Sequence, residues 1–250
     1  MAFLWIVLLG AFGACDKGSP GPAEPGVVNL RVKGVFGEEP LQMFERSYAY
    51  EEGMEVKFQL VNVYLSDAAL TGGGKDQEEE LFDVELVNFE PILDEGAARE
   101  GIAFRIEDVP PGIYSGLRLG VGLDPELNAT QPGDYQVGHP LTDNFWSWAM
   151  GYVFFKIEGN ADINGDGQFT EKLTFHIGGD DYYHTVSLPG PIEVRSGGET
   201  DVDLVLDLKK VLVNGEGKFL DFREVTQDHT NDPDLAAFLA ENFSEAIRIR

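Results

Sequence analysis

Val27-Val28-Asn29-Leu30-Arg31-Val32-Lys33-Gly34-Val35 alternates apolar and polar side chains along its length. Successive side chains of a strand point to opposite faces, so this pattern predicts a strand with one face in a core and one in water. The same short-period pattern recurs over Val56–Tyr64, Leu81–Val87, Ile102–Ile106, Gly112–Leu119, Tyr152–Ile157, Lys172–Ile177, His184–Leu188 and Asp201–Leu208. Each segment is of strand length and rich in Val, Ile, Leu, Phe or Tyr. Turn chemistry separates them: Thr71–Gly74, Pro110-Pro111-Gly112, Gly178-Gly179-Asp180-Asp181 and Ser196-Gly197-Gly198. Many short strands with few helical patterns predict an all-β fold, an antiparallel β-sandwich of immunoglobulin-like or related Greek-key type. One segment departs from this. Asp232-Pro233 opens a stretch in which Leu235, Phe238, Leu239, Phe243 and Ile247 recur at helical spacing, predicting a C-terminal amphipathic helix over Asp232–Ile247 that covers an open end of the sandwich. No period of about 20 to 50 residues repeats, which argues against a solenoid or propeller.

The domain begins late in the chain. Met1–Ala14 is an apolar run that ends at Cys15, the single cysteine. Its length falls short of the roughly 20 apolar residues a spanning helix needs, and it reads as a secretion signal. Gly13 and Ala14 before Cys15 resemble a bacterial lipoprotein cleavage box, although Phe12 replaces the usual aliphatic residue and no Lys or Arg precedes the run. Residues 1–15 are therefore expected to be a signal and lipidation segment, with Cys15 as the lipidated residue. Residues 16–26 are expected to be a flexible tether to a membrane, and 27–250 to be the sandwich domain. The chain is expected to be exported, either anchored in the periplasm or at the cell surface, or secreted. With its cysteine spent on lipidation, any metal must be held by His, carboxylate, amide or altered aromatic groups.

A formal net charge of -26 excludes nucleic acid as a partner, because a phosphate backbone needs a basic surface. It implies a self-repelling, soluble surface that concentrates cations. Enzymatic motifs are missing: there is no Gly-x-Ser-x-Gly elbow, no His-Glu-x-x-His pair and no Gly-Lys-Ser/Thr loop, so the chain reads as a binding module rather than an enzyme.

Two stretches carry candidate chemistry. The first is His139-Pro140-Leu141-Thr142-Asp143-Asn144-Phe145-Trp146-Ser147-Trp148-Ala149-Met150-Gly151-Tyr152, which sets two of three tryptophans near one of four histidines. In a strand Trp146 and Trp148 share a face, which makes that face either core or the wall of a pocket. The second is Asp162-Ile163-Asn164-Gly165-Asp166-Gly167-Gln168-Phe169-Thr170-Glu171, with oxygen donors at alternate positions and a glycine in sixth place, like the first half of a calcium loop. Its twelfth position is Leu173 rather than Glu. It therefore reads as a hairpin tip, either binding calcium weakly through Asp162, Asn164, Asp166 and Glu171 or holding no ion.

The ordered series Val61–Ser66, Pro111–Asp124 with Asn128, His139-Pro140-Leu141, Trp146-Ser147-Trp148, Gly151–Gly159 and Phe175–Gly179 resembles the MbnP-like family of secreted bacterial copper-associated proteins, in its Trp-x-Trp branch. That resemblance implies a copper-associated protein whose Trp146 or Trp148 is oxidised to kynurenine by a di-haem peroxidase-like partner, the new group joining histidines on copper. It points to His139 and His176 as copper ligands, with Asp143, Asn144 or Met150 as nearby third donors. The family's further histidine near the N-terminal strand has no counterpart before His139. His184 and His229, among acidic and polar neighbours, read as surface residues. The alternative reading is a structural or carbohydrate-facing surface lipoprotein, calcium-stabilised and without copper.

Overall fold

A computed structural model describes residues 23–72, 78–146 and 151–250. Strands run in the order β1 (Gly26–Phe36), β2 (Glu39–Pro40), β3 (Tyr48–Ala49), β4 (Glu55–Thr71), β5 (Glu78–Asn88), β6 (Ile102–Val109) and β7 (Gly112–Val121). They continue with β8 (Phe145–Trp146), β9 (Gly151–Tyr152), β10 (Phe155–Asp162), β11 (Glu171–Ile177), β12 (His184–Val194), β13 (Glu199–Asp207), β14 (Gln227–Asp228) and β15 (Ile247–Ile249). The helices are α1 (Glu95–Glu100), α2 (Pro125–Asn128), α3 (Leu208–Leu212) and α4 (Pro233–Ala246). Each of the nine expected segments overlaps an observed strand.

Two sheets form the sandwich. One has the order β15-β13-β1-β2 with β6 also on β1, and the other has the order β12-β7-β4-β10-β11-β14 with β3 and β5 on β4. In β1 buried and half-buried residues alternate along the whole strand, and Val28, Leu30 and Val32 point into the core. The sheets are mixed rather than purely antiparallel. β1 runs parallel to β13, from Val27 opposite Glu199 to Val35 opposite Asp207, and β14 joins β11 in parallel. Alternation along a strand reports which face is buried but not the direction of the neighbour.

The 17-residue strand β4 organises the larger sheet. Its first half pairs with β10 and its second half, from Leu65, pairs with β7 along the same edge. Tyr64 sits at the changeover, where its N–H donates to the Phe154 carbonyl and its own carbonyl accepts from Gly122 N–H. Gly122 is required there: its φ is +95°, and a Cβ would lie 2.6 Å from the Phe154 ring. The expected strand Tyr152–Ile157 divides at this junction, because Val153 N–H turns to the Asn144 carbonyl and Phe154 N–H to the Ile177 carbonyl.

Helix α4 starts as the sequence predicts. The Asp232 side chain caps it by accepting from Asp234 and Leu235 N–H. Ala236, Leu239, Ala240, Phe243 and Ala246 are buried, and α4 packs on α3 and on strands of both sheets. Phe243 meets Phe155 of β10 at 4.4 Å between ring centroids. The helix thus closes the edge between the two layers.

Candidate metal centre

The larger sheet lays out a polar row across its strands. Lys156 on β10 stands opposite Asn62 of β4 on one side and His176 of β11 on the other. Parallel pairing places Asp228 of β14 opposite Phe175, which brings the next residue, His229, up beside His176. The two imidazoles meet edge to face with centroids 4.9 Å apart.

A second structure folds over this row. Residues 140–142 form a 3-10 turn held from below by two buried tyrosines. Tyr64 OH lies 2.9 Å from both the Pro140 and Asp143 carbonyls, and Tyr152 OH donates to the Leu141 carbonyl at 3.0 Å. Burial raises the pKa of both phenols, so they remain protonated donors. The side-chain oxygen of Asn128 accepts from Tyr152 N–H at 2.9 Å, which fixes the start of the returning strand. The short hairpin β8–β9 results, with Phe145 opposite Tyr152 and Trp146 opposite Gly151. Trp146 is thereby set over both histidines, 5.6 Å from the His176 ring and 5.5 Å from that of His229.

The two ring nitrogens of His176 differ in their surroundings. Its Nε2 lies 2.7 Å from Glu158 Oε1, two residues along β10 from Lys156. Burial is the main influence holding its pKa below 6.5; Glu158 opposes the shift, while Lys156 and His229 add to it. The ring is therefore neutral at pH 7 and carries one proton. A carboxylate can only accept, so that proton sits on Nε2, and Nδ1 presents a lone pair. Nδ1 is buried and has no hydrogen-bond partner among the described residues. A histidine whose far nitrogen is held by a carboxylate and whose near nitrogen is free is the arrangement found at metal-ligating histidines. A crevice lined by Trp146, Gly151, Tyr152, Val153, Gly178, His229 and Thr230, with His176 outside its lining, measures about 10 Å³. A volume of that order is what a single water requires.

The structure sets residues other than His139 beside His176. The hairpin that was to unite His139 and His176 does form, since β10 pairs with β11. What it sets opposite His176 is Lys156. His139 instead caps the 3-10 turn: its Nδ1 accepts from Leu141 N–H at 3.2 Å, and its ring stacks on Tyr135 at 4.1 Å. The Nδ1 of His139 is thus engaged by local structure, because Pro140 opens the turn directly after it. The ring partners of His176 among the described residues are Trp146 and His229. His229, read as a surface residue, is half-buried at the site. Its sequence surroundings carry no apolar pattern; only the parallel pairing of β14 with β11 reveals its place. Of the third donors, the Asn144 side-chain oxygen accepts from Lys156 Nζ, while Tyr64 reaches Asp143 at its backbone carbonyl and not at its carboxylate. Cys15, Trp148 and Met150 lie outside the described residues.

The candidate calcium loop is a hairpin tip between β10 and β11. Asp162 Oδ1 accepts from Asn164, Gly165 and Asp166 N–H, and Oδ2 accepts from Gly167 N–H at 2.7 Å. Burial opposes ionisation of Asp162, but these backbone donors outweigh it and hold the carboxyl below its usual range. Asn164 Oδ1 and Asp166 Oδ1 likewise accept from backbone N–H groups, those of Asp166 and Gln168. Glu171 Oε1 lies 3.4 Å from the Thr170 hydroxyl. Among the described residues no group of three or more His, Cys, Asp or Glu side chains is arranged to hold a metal ion.

The fold and site define a mixed-sheet β-sandwich that carries a tryptophan and two histidines on one sheet face under a short hairpin. The MbnP family model matches residues 25–232. This chain belongs to the MbnP family. Its structure is similar to that of MbnP from Methylosinus trichosporium, with a TM-score of 0.55 and 16% sequence identity over 86% of this chain and 87% of the other. At that identity the likeness speaks for the fold alone. Comparison with curated proteins finds no match.

Proposed function

We propose that this protein is an exported copper-associated binding protein in which His176 and His229 hold one copper ion beside Trp146. What supports the reading is family membership together with the buried, unpartnered Nδ1 of His176, whose ring Glu158 orients from the other side. Imidazole suits copper, and two rings provide two donors. Trp146 touches both rings, so its oxidation to kynurenine by a di-haem peroxidase-like partner places a third donor at the same point. Bound copper supplies a redox-active or Lewis-acidic centre; the chain's own part is to orient the rings and cover them. The protein acts as a carrier or store rather than a catalyst, and Cys15 anchors it to a membrane through lipid.

The test is intact and peptide mass spectrometry of native protein from its own host, with copper quantified on the same sample. A kynurenine-type mass gain on Trp146 with copper bound supports the reading. Unmodified tryptophans and no copper uptake after exposure to copper salts overturn it.

A further inference from the structure

We propose that Lys156 makes this site selective for a monovalent over a divalent metal ion. The inference rests on the metal reading above and concerns the charge around the two imidazoles. Lys156 stands directly opposite His176 in the β10–β11 register, so their Cβ atoms are neighbours at about 5 Å. Its Nζ donates to Asn144 Oδ1 and is thereby tied to the segment that carries Trp146. In register Lys156 lies between His176 and Asn62, whose buried Oδ1 has no partner among the described residues. Desolvation lowers the Lys156 pKa against the pull of Glu158 and Asp143, and its charge in turn adds to the depression of His176.

Glu158 brings a negative charge to the His176 ring, Asp143 a second within reach of Lys156, and Lys156 sets one positive charge against them within a protein of net charge -26. A monovalent ion adds one unit of charge to this setting and a divalent ion two. Lys156 repels the second unit as much as the first. For two charges roughly 6 Å apart at an effective dielectric between about 20 and 80, Coulomb's law makes each unit of ion charge worth roughly 3- to 100-fold in affinity. A hydrophobic residue in place of Lys156 leaves Glu158 and Asp143 uncompensated and favours the divalent ion.

The experiment uses the full chain stripped of metal, with the wild type and the variants Lys156→Met, Lys156→Arg and His176→Gln. Each is titrated with Cu(I) and with Zn(II) alone against chromophoric chelators, and circular dichroism confirms that each folds. The expected result is that Lys156→Met raises Zn(II) affinity relative to Cu(I) by about tenfold, while Lys156→Arg keeps the wild-type ratio. Wild-type binding that His176→Gln abolishes, with a Zn(II)/Cu(I) ratio unchanged to within twofold in Lys156→Met, overturns the role of Lys156 and leaves the site standing. Equal binding by the wild type and His176→Gln overturns both.

Discussion

Removing Glu158 isolates the feature that makes His176 a ligand. Its carboxylate lies 2.7 Å from Nε2, with the histidine side chain 12% exposed and the glutamate side chain 28% exposed. The bond is therefore largely shielded from water and holds one tautomer. Glu158→Gln keeps an acceptor near Nε2–H but removes the charge that makes the ring more basic. Glu158→Ala also frees the ring to place its proton on Nδ1, which blocks the ligand position. Loss of such supporting groups costs about 10- to 100-fold in metal affinity, or about 1.4 to 2.7 kcal/mol. Glu158→Gln should fall near the low end and Glu158→Ala near the high end. Chelator-competition titration with Cu(I) at pH 7.5 gives the affinities, and urea unfolding of the metal-free proteins separates them from any loss of fold. A folded Glu158→Ala protein that binds copper within twofold of wild type would refute the reasoning, because Nδ1 of His176 would then not be the donor.

Other consequences concern the frame. Phe243→Ala removes a buried ring that stacks on Phe155 across the helix–sheet contact, and should cost about 3 to 5 kcal/mol in urea unfolding. Gly122→Ala forces a side chain into a left-handed backbone position against Phe154; the backbone strain alone should cost about 1 to 3 kcal/mol, read as a lower unfolding midpoint. The pH dependence follows from the depressed pKa of His176. The unfolded chain takes up a proton there more readily than the folded one, so His176 makes stability fall as pH drops below 6.5. Wild type minus His176→Gln, measured by urea unfolding from pH 8 to pH 5, should show that slope; parallel curves would exclude it.

The strands were legible because each carries its own burial pattern: β1, β4, β7 and β13 announce a buried face without reference to anything distant. The helix α4 was legible for the same reason, through Asp232, Pro233 and its apolar spacing. Partners were not, since direction and neighbour are properties of the assembled sheet. The parallel pairing of β1 with β13 is one case and the arrival of β14 beside β11 is the other. The site divides along the same line. Trp146 stood out by rarity and His176 by its strand position, and the structure puts them in contact. His139 drew attention by closeness to the tryptophans in sequence, yet Pro140 commits it to capping a turn. His229 gave no local signal, because its place depends on a two-residue strand formed far along the chain.

The choice between His229 and His139 is the most direct test of the account. Copper stoichiometry and affinity should be measured on wild type, His229→Gln and His139→Gln under identical conditions. The account predicts that His229→Gln loses copper while His139→Gln binds as wild type does. Retention of copper by His229→Gln together with its loss from a folded His139→Gln would contradict it.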